Sequence, residues 1–136
     1  MEGLLVSKEL MTIRSHKGEY SVTFCENSVE YLIGNLPDKN YHIIIDRRVS
    51  KLYSKELQSV LTHNSVLKID ALESNKSLEL MPSYVTHLVS KQIRRDDVLV
   101  AIGGGIIQDI TCFLSATILR GVDWYFYPTT LLAQAD

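Results

Sequence analysis

Three consecutive glycines, Gly103 to Gly105, are the first residues whose type and position could do chemistry. They follow the strand-like run "DDVLVAI" and come directly before a helix-like apolar run. Without a Cβ, glycine lets the backbone approach a ligand closely, and the free N–H groups of a helix start favour a phosphate. This placement indicates a dinucleotide phosphate site. The alternative is a tight turn in which glycine only relieves crowding. The pattern is neither GxGxxG nor a P-loop.

Asp46 is the second candidate, at the end of the buried run "YHIIID". In dinucleotide-binding folds an acid at the end of a parallel strand accepts hydrogen bonds from a ribose diol. Here the acid precedes the glycines, which reverses the usual order, so the ordinary fingerprint does not place it. The alternative is a helix N-cap or a turn residue.

Composition narrows the classes of partner. The chain has 136 residues, a net charge of -2 and 46% hydrophobic residues, which is typical of one soluble globular domain. That charge gives no reason to expect nucleic acid or an anionic membrane as a partner. No run qualifies as a signal peptide or membrane span, so we expect a cytoplasmic protein. Two isolated cysteines and four histidines without shared ligand spacing predict structural or surface roles and no metal site.

Periodicity places these residues on a chain of alternating elements. "MTIRS" and "YSVTFC" flank a turn at Gly18 and predict an antiparallel β-hairpin near the N-terminus. Apolar runs predict strands at residues 41–46, 65–70, 96–102 and 123–128. Helical periodicity predicts helices at residues 28–34, 49–61, 77–93 and 106–119. The start of the helix predicted at residues 77–93 is ambiguous, because Pro82 fits the first turn of a helix but would kink its interior.

The predicted fold is therefore α/β, a Rossmann-like, doubly wound and mainly parallel sheet that follows the hairpin. Ligands bind outside the carboxyl ends of the strands in such sheets. The helix at 106–119 is apolar on nearly every side, which indicates burial in a larger assembly, and Gly121 is its expected C-cap.

The combined motif "GGGIIQD…LRG…PTTLLAQAD" resembles 3-dehydroquinate synthase and the wider sugar phosphate cyclase family. "LESNKS" is similar to a further family segment, with Leu72 in place of its glycine, and the resemblance runs from about residue 40 to the end. It implies an NAD-dependent lyase that converts 3-deoxy-D-arabino-heptulosonate 7-phosphate to 3-dehydroquinate with loss of phosphate. It also implies a homodimer and a divalent metal, zinc or cobalt, that acts as a Lewis acid.

The resemblance assigns roles to individual residues. Those expected to contact NAD are Asp46, Glu73, Lys76, Gly103, Gly104, Gly105, Asp109, Thr129 and Thr130. Within this set Asp46 would hold the adenosine ribose, and Gly104 and Gly105 would cradle the pyrophosphate. Arg120 would reach the substrate phosphate in the neighbouring subunit, and Asp136 would lie at the edge of the substrate pocket. The metal ligands of the family have no counterpart in this chain.

Simpler interpretations exist for several of these residues. Glu73 and Lys76 could be charges of a first helical turn, and Arg120 could cover helix carbonyls. The two threonines could cap a helix, which is compatible with cofactor binding. Asp109 requires a partner if its helix is buried.

Departures from the family pattern concern Gln108 and the Thr111-Cys112 pair, which stand where the family has small residues. They leave open other cyclases of specialised metabolism as an alternative. An iron-type NAD-dependent alcohol or glycerol dehydrogenase and a non-catalytic nucleotide-binding module are further alternatives. Residues 1–136 are expected to be the NAD-binding amino-terminal domain of a longer enzyme, inactive without its helical metal-binding domain.

Overall fold

The computed structural model describes residues 9–135, which divide into two compact units, residues 9–35 and 36–135. The first unit contains the expected hairpin. Strands β1 (Glu9–Ser15) and β2 (Gly18–Phe24) pair antiparallel, and Gly18 turns the chain at φ +136°. Helix α1 (Ser28–Gly34) follows, and the side chain of its N-cap Asn27 accepts a hydrogen bond from the backbone N–H of Glu30.

Four parallel strands form the sheet of the second unit: β3 (Tyr41–Asp46), β4 (Val66–Ile69), β5 (Val98–Gly103) and β6 (Asp123–Pro128). Their order is β4-β3-β5-β6. Every residue of β5 is buried, as expected for a parallel strand covered on both faces. The predicted parallel α/β sheet with a preceding hairpin is confirmed.

The α-helices of the second unit lie between these strands along the chain, except the last, which follows β6. They are α2 (Arg47–Leu52), α3 (Gln58–Leu61), α4 (Met81–Ser90), α5 (Gly105–Thr117) and α6 (Leu131–Ala135), with short 3-10 helices at Glu73–Lys76 and Ile118–Arg120. Helices α4 and α5 supply much of a hydrophobic cluster that includes Leu88, Ile107, Ile110 and Leu114. Within the described residues, no helix is both long and apolar enough to cross a membrane.

The single helix predicted at residues 49–61 is wrong, because the chain forms two short helices separated by turns. Leu57 and Val60 are buried, whereas Leu52 and Tyr53 are 67% and 45% exposed. One continuous helix would place these four apolar residues along one stripe. The break between the two helices lets the chain bury Leu57 and Val60 while Leu52 and Tyr53 stay exposed.

The other helix limits follow from local chemistry. Pro82 lies in the first turn of α4, where its missing N–H costs nothing, so the helix begins at Met81 and not at residue 77. Helix α5 ends at Thr117 because its C-cap residue, Ile118, is extended at ψ 133°. The expected C-cap at Gly121 is therefore wrong, since Gly121 caps the short 3-10 helix that follows. The sides of α5 also differ more than expected: Ile107 and Ile110 are buried, but Asp109 is exposed. Burial in a larger assembly stays a prediction.

Candidate functional site at the carboxyl edge of the sheet

The carboxyl ends of β3, β5 and β6 bring the candidate residues to one edge. Asp46 ends β3, Gly103 ends β5 and Pro128 ends β6, and parallel pairing aligns these ends. The N–H of Thr129 donates to the carbonyl of Gly103 over 2.8 Å, so the chain after β6 is joined to the glycine turn. Residues from three distant segments therefore surround one turn.

The three glycine positions differ in the space that a Cβ atom would have. A Cβ on Gly103 would lie 2.5 Å from Ile107 Cγ1 and 3.3 Å from Asp46 Cβ. A Cβ on Gly104 would lie 2.8 Å from Thr130 Cγ2. A Cβ on Gly105 would meet nothing within 4 Å. Relief of crowding thus accounts for Gly103 and Gly104, whereas Gly105 faces open space where a ligand can approach the backbone.

The start of α5 offers donors to such a ligand. Gly104 is the N-cap residue in an extended conformation, and no side chain caps this helix. The first-turn N–H groups of a helix have no intrahelical partner, and the positive end of the helix dipole lies there. The 13 residues of α5 make that dipole fully developed, so the turn favours an anionic group.

Asp46 has the N-cap role that its position suggested, and one of its oxygens is left over. Its Oδ1 accepts a hydrogen bond of 2.8 Å from the backbone N–H of Arg48, so it caps α2. The side chain is half-buried, and its second oxygen makes no hydrogen bond within residues 9–135. That oxygen remains available to accept from a ligand hydroxyl beside Gly103.

Lys76 joins two carboxylates next to the glycine turn. Its Nζ lies 2.8 Å from Glu73 Oε1 and 3.0 Å from Asp109 Oδ2. The hydrogen bond with Glu73, then that with Asp109, raises the pKa of Lys76 above its usual 10.5. The structure thus brings together three predicted site residues from two elements. Asp109 has the partner that the sequence required, although its side chain is 59% exposed and not buried.

Thr130, one of the two threonines after β6, caps the final helix. Thr130 Oγ1 accepts a hydrogen bond of 3.3 Å from the N–H of Ala133 at the start of α6. Both Thr129 and Thr130 are exposed, so both are accessible to a ligand at the same edge, and the capping bond of Thr130 does not prevent this.

Arg120 lies apart from this edge. It follows α5 and precedes β6, about 20 Å along the helix from the glycine turn. Its backbone φ of 70° and that of Leu119, 53°, are left-handed, which is uncommon for residues other than glycine. The guanidinium makes no hydrogen bond or ion pair within the described residues. Asp136 lies outside the residues that the structure describes.

The described residues contain no metal-binding cluster, but they contain a buried histidine with two side-chain partners. Among residues 9–135 no cluster of three His, Cys, Asp or Glu side chains could hold a metal ion. At the opposite edge of the sheet, buried His42 lies 2.7 Å from Ser65 Oγ and 3.0 Å from Asp97 Oδ2. His42 is one of the histidines predicted to be structural or surface residues, and no local pattern connects it with Ser65 or Asp97, which are 23 and 55 residues away.

Comparison with known proteins shows what this arrangement is similar to. Residues 66–136 match the family model for 3-dehydroquinate synthase N-terminal domains. A 3-dehydroquinate synthase from Dichelobacter nodosus is 43% identical over 96 residues, which are 69% of this chain and 26% of that protein. One from Shewanella pealeana is 38% identical over 113 residues, or 81% of this chain and 32% of that protein. The chain thus spans about a third or less of these two relatives.

Solved structures share the fold. A crystal structure of 2-deoxy-scyllo-inosose synthase superposes with a TM-score of 0.76 at 22% sequence identity. The match covers 94% of this chain and 37% of that one, which was solved with carbaglucose-6-phosphate, NAD+ and Co2+. At this identity the match concerns the fold alone.

Proposed function

Because this chain belongs to the family of 3-dehydroquinate synthase N-terminal domains, we propose that it is the NAD-binding part of a sugar phosphate cyclase. The parent enzyme would convert 3-deoxy-D-arabino-heptulosonate 7-phosphate to 3-dehydroquinate with elimination of phosphate. The curated relatives that support this reaction carry the name 3-dehydroquinate synthase. The proposal covers the substrate, the reaction and the cofactor.

One observation carries the cofactor proposal. Gly105 faces open space at the uncapped start of α5, and the Cβ of Asp46 comes within 3.3 Å of the position that a Gly103 Cβ would take. An anion site and a carboxylate acceptor are therefore neighbours at one sheet edge. A dinucleotide carries both a pyrophosphate and a ribose diol, so the two groups present fit NAD.

Each residue at this edge then has a defined task. The N–H groups at Gly104 and Gly105 bind the pyrophosphate, and the free oxygen of Asp46 accepts from the adenosine ribose. Lys76, held by Glu73 and Asp109, presents a cation whose position two carboxylates restrain. NAD, when bound, supplies a hydride acceptor for a substrate hydroxyl. Thr129 and Thr130 line the same edge.

The role proposed for Arg120 needs a second copy of this chain. Arg120 is distant from its own glycine turn, which supports a role at the substrate phosphate of the neighbouring subunit in a homodimer. A guanidinium suits that task because its fork matches two phosphate oxygens. We assign Asp136 to the edge of the substrate pocket. The described residues do not fit a zinc or cobalt ion, so its ligands would lie in other parts of the parent enzyme.

A cyclase of specialised metabolism is the second candidate. Gln108 and the Thr111-Cys112 pair support it, since a longer side chain one turn from the glycines changes the space available to a ligand. The identities of 38% to 43% with 3-dehydroquinate synthases favour the first candidate.

Calorimetric titration with NAD tests the site. Asp46→Ala and Gly105→Val should each weaken NAD binding by tenfold or more, on the order of 1.4 kcal/mol. Gly105→Val is the sharper change, because the space around that Cβ is empty and the fold tolerates it. Gly34→Val is the matched control, since a Cβ there also meets nothing within 4 Å. Unchanged affinity in Gly105→Val would refute the assignment of the turn.

Activity of the parent enzyme tests the reaction. Phosphate release is followed with NAD, cobalt and a panel of heptulose and hexose phosphates. Turnover of 3-deoxy-D-arabino-heptulosonate 7-phosphate supports the first candidate. Exclusive turnover of another sugar phosphate would support the second.

A further inference from the structure

A polar cavity lies at the amino edge of the sheet, opposite the glycine turn. Its volume is about 320 Å³, and it is lined by Asn40, His42, Asn64, Lys91, Gln92, Arg94 and Asp97. Strand β5 has six residues, so the two edges are about 20 Å apart. The cavity is therefore separate from the cofactor site proposed above.

The floor of this cavity is a rigid network. His42 is 1% exposed and Asp97 is 6% exposed. Asp97 Oδ2 accepts hydrogen bonds from His42 Nε2 at 3.0 Å, Asn40 Nδ2 at 3.1 Å and the backbone N–H of Arg94 at 2.8 Å. Ser65 Oγ, 2.7 Å from His42 Nδ1, completes the network. Three donors on one oxygen compensate the carboxylate charge and hold the loops before β3, β4 and β5 together.

The rim differs from the floor because its polar groups have no partners. The side chains of Asn64, Lys91, Gln92 and Arg94 make no hydrogen bond or ion pair within residues 9–135. Lys91 and Arg94 are thus two cations without a counter-ion around a cavity whose one carboxylate is already satisfied. Two amides and two cations without partners form a donor-rich rim.

The backbone at Gln92 sets where its amide lies. The N–H of Gln92 donates to Val89 O at 2.9 Å, and that of Ile93 donates to Leu88 O at 3.2 Å, which is the Schellman pattern at the end of α4. Gln92 occupies its left-handed position at φ 60°, where glycine is unstrained. The residue at this position places a side-chain amide at the cavity.

We propose that this cavity binds a small oxyanion, a phosphate or carboxylate group, between Lys91, Arg94 and the amide of Gln92. Two cations compensate the ligand charge, and amide N–H groups donate to its oxygens. The buried His42–Asp97 network keeps the loops that carry these donors in place.

The test is an NMR titration of the isotope-labelled protein with sodium phosphate, against sodium chloride of equal ionic strength. Phosphate should give saturable shifts of the side-chain amide signals of Asn64 and Gln92. Arg94→Gln should weaken that affinity by about tenfold, because a charge-assisted hydrogen bond is lost. It keeps the backbone N–H that Asp97 requires. Arg95→Gln is the matched control and should bind as wild type, because Arg95 is exposed like Arg94 but does not line the cavity.

A second variant removes the amide without loss of fold. Gln92→Gly retains the left-handed backbone, since glycine adopts that conformation freely, and should weaken phosphate binding several-fold. The proposal is overturned if chloride produces the same shifts, or if Arg94→Gln and Arg95→Gln bind equally. It is also overturned if phosphate shifts only the backbone signals of Gly104 and Gly105, because the anion would then bind the glycine turn alone.

Discussion

Substitution of Gly103 by alanine separates crowding from ligand binding at the glycine turn. The new Cβ would lie 2.5 Å from Ile107 Cγ1 and 2.8 Å from Ile107 Cβ. Ile107 is fully buried, so it cannot move away without displacing its neighbours. Overpacking of a core by one methyl group costs about 1–3 kcal/mol. The contacts of the new Cβ with Ile107 are so short that we expect Gly103→Ala to lose about 3 kcal/mol of unfolding free energy.

Gly105→Ala is the matched change at the same turn. Nothing lies within 4 Å of the new methyl group, and the position is the first residue of α5. Alanine is about 0.5–1 kcal/mol more favourable than glycine in a helix, so this variant should be as stable as wild type or more stable. The two single-methyl variants should therefore differ by about 3 kcal/mol.

Urea unfolding followed by far-UV circular dichroism measures this difference. With an m-value of about 2 kcal/mol/M, the midpoints of the two variants should be about 1.5 M apart at unchanged slope. Ile107→Ala provides a double-mutant cycle, in which Gly103→Ala should cost less than in wild type. Equal stability of Gly103→Ala and Gly105→Ala, or an unchanged cost of Gly103→Ala when it is combined with Ile107→Ala, would refute the crowding argument.

Three further perturbations test other parts of the structure. Thr111 is fully buried, and its hydroxyl has no hydrogen-bond partner among the described residues. Thr111→Val should therefore raise the unfolding free energy by about 1 kcal/mol. Thr117→Val is the control and should not raise it, because this variant loses a hydrogen bond to the carbonyl of Phe113. Burial raises the pKa of Asp97, but hydrogen bonds from the His42 ring, a backbone N–H and an amide outweigh it and lower the pKa below 3.8. This carboxylate therefore contributes stability above that pH, which is lost as the pH falls through the lowered value. Asp97→Asn should flatten the pH dependence of the urea midpoint below pH 3.8, while exposed Asp96→Asn should not. Asp46→Asn should reduce the preference for NAD over NADP by about tenfold in calorimetric titrations, because the carboxylate repels a 2′-phosphate; an unchanged ratio would contradict the ribose assignment.

Local pattern was enough to predict most of the fold. The strands at residues 41–46 and 123–128 were predicted at their observed limits, because apolar runs in a parallel sheet are bounded by polar or turn residues. The break between α2 and α3 was not predictable from periodicity. It depends on which apolar residues the rest of the core can cover.

The candidate site was also predictable in part. The positions of Asp46 and the glycines at the carboxyl edge follow from strand ends, since parallel strands all end at one edge. The ion pair of Lys76 with Asp109 connects residues 33 positions apart, and no pattern of charge along the chain indicates it.

The sequence by itself determined the alternation of strands and helices along the chain, the sheet edge that carries Asp46 and the glycines, and the family of the chain. Each of these depends on neighbours along the chain or on a motif of a few residues. Only the tertiary structure decided that Gly103 and Gly104 are required by packing while Gly105 faces open space. It also decided that His42, Ser65 and Asp97 form one buried network. The physical reason is that close packing and hydrogen bonding act over a few ångströms, between atoms that the chain brings together only when it folds.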